Sequence, residues 1–362
     1  MDHVRTLDGL RFIAVALVLA AHIPMDGRHA WLVAINEGLP VHPAYIGVDI
    51  FFVLSGFLIT RILLRDRGAP NAYRGFLARR ALRIFPVNVL TLATLAPAVP
   101  LNELVRSATY TSNYLFAFDA TPSPLRHTWS LCVEEHYYLL WPLVVLFTPH
   151  RVSRALCLAT PLVAGAAMLA WRALEPEHAD ELIYRGSLCR SLSLGLGSLL
   201  AFYEPVARAS RQRLLVLAGL CSASSAGFAW ALGSISGVPD AMTRAYATAL
   251  LSASILFTAL ACEGKGTITG ALLTSAPLVA LGRISYGIYL YHYPVFHLAD
   301  RVTGSLDAVT PWMILWFDLF KCALTLAIAA ASYRWVERPL LDLGRRWRTG
   351  TRPANAALAV GG

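Results

Sequence analysis

The stretch LDGLRFIAVALVLAAH, residues 7–22, decides how the chain is read. Its apolar run has the character of a membrane helix, yet Asp8, Arg11 and His22 sit within it. Eleven positions on an α-helix are about three turns, so Arg11 and His22 share one face, roughly 16 Å apart along the axis. Asp8 falls in the same stripe. One helix therefore offers a permanent cation near one membrane surface and a titratable imidazole towards the other.

The rest of the chain extends that reading. Of its 362 residues, 56% are hydrophobic and only 15% are charged, against about 25% charged in soluble globular domains. Apolar runs long enough to cross a bilayer recur near 7–24, 45–65, 84–101, 128–148, 152–172, 188–204, 213–233, 242–262, 284–300 and 312–334. The sequence predicts an all-α, polytopic transmembrane helical bundle of about ten spans. The first run also has the flanks of a signal peptide, but membrane character continues through the whole chain.

Charge sorts by connection. Arg65, Arg67, Arg74, Arg79, Arg80, Arg151, Arg154, Arg208, Arg211 and Lys265 fall in alternate connections, whereas Glu175, Glu177, Asp180 and Glu181 share an opposite one. The positive-inside rule then puts both termini in the cytoplasm. The net charge of +9 reports this topology rather than a nucleic-acid partner. All but Lys265 and Lys321 of the 31 basic residues are arginine. The segment YRGFLARRALRIF, 73–85, reads as a basic amphipathic helix on the cytoplasmic surface. Residues 1–342 read as one membrane domain and 343–362 as a basic, disordered cytoplasmic tail. The six cysteines show no close metal-ligand spacing, so neither a metal site nor a disulfide framework is indicated.

Ionisable groups inside spans are expensive and point to pairing or function. Alternating span direction assigns each a depth. His22, Asp49, His127 and Glu134 gather in the outer half, with His292 near mid-depth. His127, Glu134 and Tyr138, spaced by seven and four, share a stripe of the fourth span. Arg11, Arg80, Arg83 and Arg283 gather at the inner side, as cations suited to phosphates. Acid–base groups above a phosphate-binding layer suit an enzyme whose donor is a phosphorylated cytoplasmic molecule. Asp318 and Lys321 read as a structural ion pair, and Trp129 and Trp141 as interfacial belt residues. A transporter or flippase with an intramembrane Arg/His/Glu pathway is the competing class, and a structural scaffold a third.

These same residues carry a resemblance. RTLDGLRFIAVALVLAAH, GVDIFFVLSGFLIT, FLARRALRIFP, HTWSLCVEEHYYLLWP, RISYGIYLYHYPV and VERPL stand in the order of the sequence blocks of the acyltransferase-3 family, and the chain resembles that family over residues 5–342. The resemblance implies an integral membrane O-acyltransferase that moves an acyl group, usually acetyl, from acyl-CoA to a hydroxyl of a carbohydrate or glycoconjugate. Acyl-CoA, with acetyl-CoA foremost, would be a donor substrate rather than a resident cofactor. The setting implied is a multi-pass protein of the bacterial cytoplasmic membrane, in contact with lipid.

The resemblance also assigns roles. His22 carries over as the acid–base residue, Arg11 with Arg80 and Arg83 as donor-site arginines, and Glu134 as the acidic position of the fourth span. Glu134 or Asp49 is then expected to orient His22 as it takes a proton from the acceptor hydroxyl. An acyl-histidine intermediate is an alternative route. His136 and Tyr137 depart from the family's more usual glutamine and phenylalanine. The fused esterase-like domain common in the family is not in the sequence, so transfer is expected to finish within this domain.

Overall fold

The computed structural model describes residues 4–23, 43–208, 210–233, 240–304 and 310–349, and each predicted span within them is a long helix. These helices are α1 (Arg5–His22), α2 (Pro43–Asp66), α3 (Ala72–Leu95), α4 (Trp129–Phe147), α5 (His150–Leu174), α6 (Ser187–Arg208), α7 (Arg211–Gly233), α8 (Asp240–Cys262), α9 (Ser285–Gly304) and α10 (Pro311–Ser332). A π-helical turn, Tyr333–Glu337, joins α10 to α11 (Arg338–Thr349). The described residues contain no strand.

Six of these segments are long and apolar enough to cross a membrane by length and composition. The other four, α1, α4, α6 and α9, carry Arg11 and His22, Glu134, Arg190, and His292, whose polarity lowers their hydropathy. The bundle turns large apolar side chains outward and holds charged groups within an otherwise apolar core. Leu215, Val216 and Leu220 of α7 and Trp312, Trp316 and Phe320 of α10 are exposed, while Asp49, Arg190 and His292 are buried. That arrangement is what a lipid solvent requires. The chain is a multi-pass membrane protein. α2 and α8 form its centre, each burying 72% of its apolar window against 11% for α7.

Small residues set the central contacts. A Cβ on Gly56 of α2 would lie 2.0 Å from the Leu194 carbonyl oxygen of α6, and one on Gly197 of α6 would lie 2.0 Å from the Val53 carbonyl oxygen of α2. The two helices touch backbone to backbone, a packing that only glycine permits. Gly197→Val is expected to cost more than the ~1–3 kcal/mol usual for overpacking, because the obstacle is main chain rather than a movable side chain. The check is the melting temperature of the variant in detergent; a wild-type value would mean that the helices part freely.

α1 is anchored at its start. Its first backbone N–H groups, of Arg5 and Thr6, donate to the Glu263 carboxylate at 3.2 and 2.9 Å, satisfying donors that no helical turn can reach. At its far end Val18 packs over Gly47 at the start of α2, so the two helices run antiparallel. Lys321 is held by Asp318 at 2.9 Å, as its spacing predicts, and also by Asp300 of α9 at 2.8 Å.

Three expectations change. The surface helix 73–85 and the span that follows it form one continuous helix, α3, which runs through Pro86. The boundary at 342/343 falls inside α11, which packs along α3; residues 350–362 lie outside the described ones. Trp129 and Trp141 are core residues rather than belt residues. Trp129 packs on Phe52 and Tyr184, and the Trp141 indole donates to Thr60 at 2.7 Å.

Candidate active site

A cavity lies among α1, α2, α3, α4 and α9. Arg11, Arg80 and Arg83 line it together with Ser55, Glu134 and Tyr138, over an apolar wall that includes Val48, Phe51 and Phe52. Arg80 and Arg83, three apart on α3, present one face. The Arg80 guanidinium sits 4.7 Å above the Tyr138 ring and 5.8 Å from Phe76, a cation–π clamp that fixes its plane. Among the described residues no carboxylate lies within ion-pair distance of Arg80 or Arg83. Arg11 is held at 3.0 Å by Asp8, which also stands 3.8 Å from Arg283. Three guanidinium groups clustered at one cavity wall are an arrangement suited to phosphate.

Glu134 belongs to this cavity. It accepts from the Ser55 hydroxyl at 2.5 Å, and that hydroxyl is 3.2 Å from the Tyr138 phenol. Glu134 lines the arginine cavity and His22 does not: the rotation of α4 turns the carboxylate towards the arginines.

The three histidines do come together. Ring centroids of His22 and His292 are 5.2 Å apart, and those of His127 and His292 are 5.4 Å apart. Tyr293 joins them, 5.2 Å from His22 and stacked on His127 at 5.2 Å. His22 Nδ1 lies 2.7 Å from the Val18 carbonyl, which can only accept, so the neutral ring carries its lone pair on Nε2. His292 Nδ1 is likewise 2.6 Å from the Tyr289 carbonyl, and its Nε2 is buried with no hydrogen-bond partner among the described residues. Among the described residues no carboxylate is within hydrogen-bond distance of these rings, and the Val18 main-chain carbonyl takes the His22 Nδ1–H.

One pair of side chains borders both places. Ser130 and Tyr289 line the arginine cavity, with their hydroxyls 2.6 Å apart. The Tyr289 hydroxyl also donates to the His127 carbonyl at 3.1 Å, and its ring is 5.5 Å from that of His292.

Asp49 stands apart. Fully buried on α2, it meets Arg190 of α6 at 3.2 Å, accepts from Ser193 at 2.6 Å, and accepts from Thr248 of α8. Both oxygens are committed, so Asp49 ties the central helices rather than serving His22. Arg190 was legible in principle: an arginine within the run 188–204 demands an intramembrane carboxylate, and Asp49 was available. Ser55, Ser130 and Tyr289 carry no comparable signal. The departures from the family pattern are both hydrogen-bonded, His136 to Ser187 at 2.7 Å and Tyr137 to Ser198 at 2.6 Å.

The family model described as an acyltransferase domain, that of the acyltransferase-3 family, matches residues 4–334. The chain belongs to the acyltransferase-3 family. This acyltransferase-3 chain is 31% identical, over 94% of its length, to a Bacillus subtilis protein provisionally named as a peptidoglycan O-acetyltransferase, of which it covers 55%. It is 29% identical to a peptidoglycan O-acetyltransferase of Listeria monocytogenes, over 94% of this chain and 56% of that one. A Staphylococcus aureus O-acetyltransferase is 26% identical over 93% of this chain and 57% of its own. The acyltransferase-3 chain thus spans about half the length of the curated relatives it matches. No solved structure matches it.

Proposed function

We propose that this protein is a membrane O-acyltransferase of the bacterial cytoplasmic membrane, crossing it about ten times with both termini in the cytoplasm. It moves an acyl group, acetyl foremost, from cytoplasmic acyl-CoA to a hydroxyl of a carbohydrate or glycoconjugate. The observation that carries this reading is the placement of Arg11 and His22 on one helix, the first in an arginine cavity and the second in a histidine cluster that adjoins it. The relatives' names favour acetyl as the group and a glycan of the peptidoglycan kind as the acceptor.

In this mechanism Arg80, Arg83 and Arg11 hold the CoA phosphates, and the pantetheine arm reaches into the bundle along α1. The rise between Arg11 and His22, roughly 16 Å, suits that arm. His22 Nε2 takes the proton from the acceptor hydroxyl as its oxygen attacks the thioester carbonyl. The C–S bond then breaks, and the proton passes from the imidazolium to the departing CoA thiolate. The products are an O-acyl ester and free CoA. Purified protein in nanodiscs, given acetyl-CoA, should release thiol only with a glycan acceptor present, and the acceptor should gain one acetyl by mass spectrometry. Thiol release at the same rate without acceptor, or none with any glycan, overturns the reading.

The donor site has its own check. Each charge-assisted phosphate contact contributes roughly 1.5–3 kcal/mol, so Arg80→Ala and Arg83→Ala should each weaken acetyl-CoA binding tenfold or more by calorimetry. Lysine at either position should restore only part, since it lacks the bidentate fork. Unchanged affinity in a folded double variant would return both arginines to a purely topological role.

A further inference from the structure

At the end of the bundle that holds His22, a second, smaller cavity lies between the short helix Ala179–Arg185 and the first turns of α2, α6 and α8. Tyr45, Asp180, Glu181, Tyr184, Arg190 and Arg244 supply most of its lining. On the acyl-transfer reading given under Proposed function, we infer that this cavity is the acceptor subsite and takes an uncharged, polyhydroxylated amino-sugar unit of a glycan chain.

The lining selects for that chemistry. Of the four charges in the lining, Arg190 is paired with Asp49 and Glu181 with Arg185. Asp180 and Arg244 then face the space as one anion and one cation, so a ligand of either net charge would be opposed by one of them. A sugar's hydroxyl and amide groups both donate and accept, and they match a wall of mixed sign. The site is built rather than incidental. Arg190 is buried and fixed by Asp49 at 3.2 Å and by the Tyr184 carbonyl at 2.7 Å, with its guanidinium 4.7 Å over the Tyr184 ring. Tyr45 leans on the same ring at 4.4 Å, giving the cavity an aromatic side. Arg244 has no ion pair among the described residues.

A relay of ring contacts links the cavity to the histidine cluster. Tyr184 packs on Trp129 at 4.6 Å, and Trp129 follows His127 by two residues. The adjoining residue, Arg185, is buried with an Nη1 that finds no hydrogen-bond partner among the described residues. It lies within electrostatic reach of Tyr293, the ring packed on both His22 and His127. These contacts give the direction in which a sugar chain seated between Tyr184 and Arg244 would extend to bring a hydroxyl to His22.

The test uses the full chain in nanodiscs and the β-1,4-linked tetrasaccharide of N-acetylglucosamine as probe. Binding is read by calorimetry without acyl donor, and acetyl transfer is read in the same preparation with acetyl-CoA. The wild type should bind the tetrasaccharide. Arg244→Ala should weaken binding at least tenfold and Asp180→Asn several-fold, with melting temperatures and acetyl-CoA affinity unchanged. His22→Ala should bind the sugar as the wild type does. A wild type that does not bind the tetrasaccharide at millimolar concentration overturns the subsite, as does binding that both Arg244→Ala and Asp180→Asn leave intact. Sugar binding with these effects but without acetyl transfer upholds the subsite and removes the transferase reading. Acetyl transfer whose KM for the sugar ignores both variants does the reverse.

Discussion

His22→Ala is expected to abolish acyl transfer while leaving acyl-CoA binding within about twofold of wild type. A positioned general base contributes roughly 10²–10⁴-fold, and the cluster offers no ready substitute. His292 is wholly buried, and His127 has its Nε2 turned to the Leu290 carbonyl. His22→Gln should lose as much, because an amide can keep the hydrogen bond to Val18 but cannot accept the hydroxyl proton. Donor binding should survive both changes, since the arginine cavity does not include His22. Turnover and CoA affinity measured on one detergent preparation separate the two effects. Near-normal turnover from His22→Ala would remove the base from the mechanism.

Asp49→Ala should act on folding instead. It leaves the Arg190 guanidinium buried and uncompensated, a loss of about 3–5 kcal/mol for a broken buried pair, and it also strips Ser193 of its acceptor and Thr248 of one of its acceptors. Against typical stabilities of 5–15 kcal/mol this is a large share. Little folded protein should be recovered. Pairing the change with Arg190→Met should restore part of the stability, because removing both charges avoids the orphan. Thermal unfolding of the single and double variants is the measurement. A folded Asp49→Ala protein with wild-type melting behaviour and lost turnover would put Asp49 back in the chemistry.

Most of the scaffold was legible from hydropathy, since a span must be apolar for about 20 residues whatever its neighbours are. The spacing of Arg11 and His22 was legible too, because one helix carries both. Pairing between helices was harder to read. Counting from the start of a span gives height but not rotation, and rotation is what sends Glu134 to the arginines and Asp49 to Arg190. Rotation follows from interhelical contacts such as Gly56 against Leu194 and Gly197 against Val53, which leave no periodic trace in one chain. The same limit hides Ser130 and Tyr289, ordinary polar residues until two helices bring them within 2.6 Å.

That last pair has a consequence for the cell that owns the protein. A membrane under voltage tolerates no continuous water file, because ions and protons would run down the gradient that powers the cell. Hollows reaching in from both faces thin the insulation to whatever stands between them. On the proposed reading, in which the arginine cavity opens to one face and the histidine cluster to the other, a tyrosine and a serine sharing one hydrogen bond are part of that remaining thickness. On that reading an acyl group on its way from donor to acceptor must displace or skirt them while its own chain plugs the gap. Tightness to protons and permeability to a thioester are then two demands on the same few atoms.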